Sequence, residues 1–128
     1  MQLRFLQKNK EGKDMIIAVA GSGGKTTRVH KLAQYYRSLG KKVFVTTTTH
    51  MKKESDTVIP ENIEDIRKQL NETGYCMAGM PATPENALVQ KIGPLPEDFY
   101  ETAVKEADIT LIEADGSRGM PAKIPADY

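Results

Sequence analysis

The stretch Gly21-Ser22-Gly23-Gly24-Lys25-Thr26-Thr27 constrains the fold most, because of what stands on either side of it. Before it lies the apolar run MIIAVAG over 15–21. After it comes KTTRVHKLAQYYRSLG, in which Val29, Leu32, Ala33, Tyr36 and Leu39 recur at helical spacing and Gly40 supplies a stop. KVFVTTTT over 42–49 then reads as a second strand. Nearly continuous apolar or β-branched runs suit strands that are buried on both faces. Strand, glycine turn, helix and strand make a βαβ unit, which forces the two strands parallel and lays the helix across the sheet.

The rest of the chain continues the alternation. A helix is predicted from about Pro60 to Glu72, with Ile63, Ile66 and Leu70 on one face, and YCMAGM over 75–80 reads as a short strand entering a proline-rich loop. A third helix starts near Pro96 and carries Phe99, Ala103, Val104 and Ala107 inward, and the strand DITLIEAD follows at once. This order predicts an α/β fold, a three-layer P-loop NTPase-like domain with a mostly parallel sheet. The expected division is an N-terminal segment over 1–14 and a P-loop nucleotide-binding domain over 15–128. The closing GSRGMPAKIPADY reads as an active-site loop cut short at its C-terminal end.

Composition removes several function classes. Eighteen basic residues against 17 acidic ones leave a formal charge of +1, so no global field draws nucleic acid or anionic lipid, and an anion has to be caught by local geometry. Lys52 and Lys53 form a small basic spot, but no aromatic side chains interleave it as a nucleic-acid surface would have. The longest apolar run is far shorter than the roughly 20 residues of a membrane span. The single cysteine, Cys76, excludes an internal disulfide and reads as core rather than nucleophile, and MQLRFLQKNK is not a signal peptide. A cytoplasmic protein is expected.

The glycine stretch has what a phosphate-binding loop needs: glycines that turn backbone N–H groups toward one anion, a lysine for the outer phosphates and a hydroxyl for magnesium. Gly21, Gly23 and Gly24 supply the turn around Ser22, Lys25 the charge, and Thr26, paired with Thr27, the hydroxyl. The helix that follows points its positive end at the phosphates. The motif is a shortened one, with Val19 where the longer form has its first glycine.

A second constellation is LIEADGS, where an apolar strand delivers Glu113 and Asp115 to its C-terminal end, the edge at which parallel sheets bind ligands. A carboxylate there can hold the magnesium that bridges the phosphates. Thr48, Thr49 and His50 close the second strand at the same edge. Their hydroxyls can serve magnesium or its waters, although threonine is equally a plain strand former. Arg118 and Lys123, just past the acids, either fold over the phosphates to neutralise developing charge or belong to the solvated surface. His30 falls on the polar side of the first helix and reads as solvated.

These segments, MIIAVAGSGGKTT, KVFVTTTTHM and LIEADGSRGMPAKIP, resemble in this order the YqeC-like family, described as accessory proteins of selenium-dependent molybdenum hydroxylases. The resemblance covers about residues 15 to 128. A more distant likeness is to the ATP-binding domain of Mur ligases and folylpolyglutamate synthetases, which share the shortened loop and a strand-end glutamate. The resemblance implies that Gly21, Gly24, Lys25 and Thr26 bind phosphates of ATP or GTP and that Glu113 is the acid on the Mg2+ side. Asp115, Arg118 and Lys123 match family positions without a carried-over role. The leading expectation is a magnesium-dependent NTPase that assists maturation of a molybdenum hydroxylase, with the hydroxylase or its maturation proteins as partners. A non-hydrolysing nucleotide-gated adaptor and a Mur-ligase-like, carboxylate-activating enzyme are the alternatives.

Overall fold

The computed structural model describes residues 2–8, 15–20 and 25–114 of the chain. Its elements, in order, are β1 Gln2–Lys8, β2 Met15–Ala20, α1 Lys25–Ser38, β3 Val43–Thr47, β4 Met51–Lys52, α2 Ile63–Thr73, β5 Tyr75–Met77, β6 Met80–Pro81, β7 Lys91–Gly93, α3 Glu97–Glu106 and β8 Ile109–Glu113. Every residue of β3, β5 and β8 is buried, as strands covered on both faces require.

The main sheet runs β1-β2-β8-β3-β5. β2, β8, β3 and β5 are parallel, and β1 closes one edge antiparallel to β2. Alternation along the strands divides the core into two faces. Ile17, Val19, Val43, Val45, Ile109 and Leu111 pack with Val29, Ala33, Leu32 and Tyr36 of α1. Ile16, Ala18, Phe44, Cys76 and Ile112 pack instead with Ile66 and Leu70 of α2 and with Tyr100, Ala103 and Val104 of α3. The chain crosses from β2 to β3 over the α1 face and returns from β5 to β8 over the opposite face. Between these two crossovers direction and face reverse together, which gives both the same hand.

Local chemistry sets the helix ends. α2 starts three residues after its expected start at Pro60 because Asn62 caps it: the Asn62 side chain accepts from Glu64 N at 3.0 Å, and Asp65 accepts from Asn62 N at 3.3 Å. Gly74, at φ 77°, ends it in the left-handed region that favours glycine. Gly40, at φ 79°, does the same after α1. Leu39, expected in the buried stripe of α1, is instead 53% exposed, since the helix has ended at Ser38 and the chain is already turning.

Two parts of the fold have no counterpart in the predicted elements. One is β1, an edge strand drawn from the N-terminal segment. The other is a three-stranded antiparallel sheet, β4-β7-β6, seated on the α1 face through buried Met51 and Ile92. Gly79 enters this sheet under close contact: a Cβ there would stand 2.6 Å from the Gly93 carbonyl oxygen. Of YCMAGM only Tyr75–Met77 forms the expected strand, β5; Ala78 then makes a lone parallel bridge to Val58, and Met80 already belongs to β6.

Candidate functional site

Ligands of open parallel sheets bind beyond the C-terminal strand ends, and three of those ends stand side by side here. Val19 of β2 is in register with Glu113 of β8, and Glu113 with Thr47 of β3. The row is extended by Ala114 N donating to Val19 O at 3.0 Å and Thr48 N donating to Glu113 O at 3.2 Å. Glu113 is only 6% exposed. It follows Ile109 and Leu111 by the two-residue strand period, which puts it on the face covered by α1.

α1 begins at Lys25, with four residues between it and the end of β2, so its first turn lies at this same edge. The unsatisfied N–H groups and positive dipole end of a helix favour an anion there. No acidic residue stands in that first turn, which Lys25 opens and to which exposed Arg28 brings positive charge. Thr27 is exposed on the same turn. Lys25, Thr26, Thr27, Thr48 and Glu113 are thus drawn to one edge by the strand order. Gly21, Ser22, Gly23, Gly24, Asp115, Arg118 and Lys123 lie outside the described residues.

The four threonines divide by their neighbours. Thr46 Oγ1 donates to Ala78 O at 2.8 Å, which ties β3 to the end of β5. Thr47 Oγ1 donates to Glu113 O at 2.9 Å and accepts from Thr49 N at 3.0 Å, bending the chain just past the strand. Sequence reasoning missed Thr47 as the organiser of this turn, and only the position of β8 reveals it. Thr48 is half-buried, and among the described residues no hydrogen bond holds its hydroxyl. His50 is exposed and sits against Gly93 of the small sheet, its Cδ2 3.7 Å from where a Cβ would stand.

Cys76 is core, as expected. Burial, reinforced by the charge of Asp56, pushes its thiol up to about 12, the reverse of the depressed value that activates a nucleophile. Among the described residues no group of three or more His, Cys, Asp or Glu side chains could hold a metal on its own. No described helix is long and apolar enough to cross a membrane.

A family model described as YqeC protein matches residues 17–128. An uncharacterized protein YqeC of Escherichia coli K12 is 32% identical over 133 residues, covering 88% of this chain and 45% of the relative. The signal recognition particle 54 kDa protein of Hyperthermus butylicus is 30% identical over 105 residues, covering 82% of this chain and 21% of that protein. The chain therefore spans less than half the length of either relative. The family match takes in four of the six residues of β2 and every described element after it, including the three neighbouring strand ends, and the chain belongs to the YqeC family.

Proposed function

We propose that the chain is a magnesium-dependent P-loop domain that binds ATP or GTP, and that it works as an NTPase assisting maturation of a selenium-dependent molybdenum hydroxylase in the cytoplasm. The observation that carries this reading is the convergence at one sheet edge. The end of β2, from which the glycine loop leaves, the buried Glu113 and the first turn of α1 all meet there. In this reading the backbone of residues 21–24 cradles the phosphates, Lys25 meets the outer ones, and Arg118 and Lys123 supply further positive charge with Asp115 beside them.

A nucleotide-bound magnesium asks the protein for only one or two carboxylates, because phosphates and water supply its other ligands. Glu113 fits that demand, and the hydroxyls of Thr26 and Thr48 would complete the protein's share. The ion, when bound, neutralises charge on the transferring phosphate. The remaining catalytic task is positioning, since phosphoryl transfer needs little covalent chemistry from protein groups.

Calorimetric titration with non-hydrolysable ATP and GTP analogues, with and without magnesium, tests this. Magnesium-dependent binding that disappears in Lys25→Ala is the expected result. Undiminished binding by the variant would remove the P-loop from the account. Steady-state hydrolysis then separates an NTPase from a nucleotide-gated adaptor, which would hold nucleotide without turnover.

A further inference from the structure

The small sheet β4-β7-β6 carries a surface that nucleotide binding leaves unused. Met51 and Ile92 pair in register and are buried, 2% and 0% exposed, so alternation turns the next registered pair, Lys52 and Lys91, out to solvent. Like charges directly opposite on antiparallel strands repel one another. Lys53, also exposed, adjoins them, its backbone N–H donating to Gln90 O at 2.8 Å. Among the described residues no ion pair relieves these three lysines, although Glu54 and Glu85 belong to the same region.

Beside the lysines, the loop from β6 to β7 displays Leu88 at 103% exposure and Val89 at 50%. Its own hydrogen bonds hold this loop in shape. The Gln90 amide nitrogen stands 3.0, 3.1 and 3.0 Å from the carbonyl oxygens of Pro84, Glu85 and Ala87. The Thr83 hydroxyl donates to Gln90 Oε1 at 3.2 Å and accepts from Lys91 N at 3.1 Å. An apolar knob held rigid in water, next to unrelieved positive charge, is unfavourable for the isolated molecule. Both penalties reverse when an acidic surface with an apolar pocket covers it, because the knob is already ordered and the charges gain partners.

We propose that this surface docks a partner protein, which receives Leu88 and Val89 in an apolar pocket and meets Lys52, Lys53 and Lys91 with carboxylates on its rim. The proposal does not depend on the nucleotide site. A lipid surface fits less well: Leu88 and Val89 offer less hydrocarbon than one myristoyl chain, which alone holds a protein only marginally on a bilayer. Nucleic acid fits less well too, since no aromatic side chain in the group offers stacking.

The test replaces Leu88 with photoreactive benzoylphenylalanine in cells making the full chain, with exposed Glu72 of α2 replaced in the same way as a control. The expected result is crosslinking to one protein from position 88 and not from 72. The captured peptide should be rich in carboxylates. Adding Lys52→Glu should cut the yield about ten-fold by charge reversal. That change places opposite charges across from each other at Lys91, so the melting temperature should hold or rise, which rules out unfolding as the cause. Reversing the mapped carboxylates to lysine should restore capture by the Lys52→Glu chain. Crosslinking equal at the two positions, capture indifferent to Lys52→Glu, or cosedimentation of the purified chain with phosphatidylserine vesicles would each overturn the proposal.

Discussion

α1 and α2 pack on opposite faces of one sheet and begin in opposite ways. α2 completes itself: Asn62 and Asp65 satisfy its first backbone donors, and Glu64 and Asp65 meet the positive end of its dipole. α3 likewise opens with Glu97 and Asp98. α1 carries no acid in its first turn and sets exposed Arg28 there, positive charge near a positive helix end. Each helix N-terminus needs negative charge or acceptors; two of the three described helices take acids from their own sequence, and α1 does not. The contrast separates a helix start completed by its own acids from one that carries none, as the proposed phosphate site requires.

The largest effect expected from this contrast is ligand stabilisation. Nucleotide with magnesium at about 100 times its dissociation constant should add about 2.7 kcal/mol to unfolding stability. Hydrogen exchange should slow in the first turn of α1 and stay unchanged in the first turn of α2, and Lys25→Ala should remove the effect. Equal protection at both helix starts would erase the distinction. Next in size, Asn62→Ala should cost about 1 kcal/mol in denaturant unfolding while leaving nucleotide affinity as it was. Lower affinity in that variant would mean that the two ends are coupled. The smallest effect should come from Arg28→Glu, which puts an acid where α1 lacks one. It should stabilise the ligand-free chain by about 0.3–1 kcal/mol and weaken nucleotide binding by a similar energy, both effects fading with salt. Tighter binding would contradict the electrostatic account of α1.

The parallel strands were legible because burial on both faces writes itself into sequence as unbroken apolar runs, and β2, β3 and β8 are such runs. α2 and α3 were legible from their apolar spacing. β1 was not, because an irregularity between Leu3 and Phe5 shifts its register and breaks the alternation that would announce a strand. β4, β6 and β7 are two or three residues long, too short to carry a period, and exist through pairing with one another. At the site, the sequence offered Thr48 and Glu113 as candidates from the strand-end positions alone. It could not reveal that Thr47 hydrogen-bonds to Glu113 O, because that bond depends on which strand lies next door.

The position of β8 has a consequence for biosynthesis. β2 and β3 are separated in the sheet by a strand that the ribosome makes last among those described. Until residues 109–113 emerge, β2 and β3 each carry an open parallel edge, and Val19 and Thr47 face a gap rather than Glu113. Such edges invite wrong pairing, so the nascent chain is most vulnerable to aggregation just before β8 emerges. Insertion of β8 closes both edges and completes the floor of the proposed ligand site in one step, so a chain interrupted before residue 109 would lack that floor.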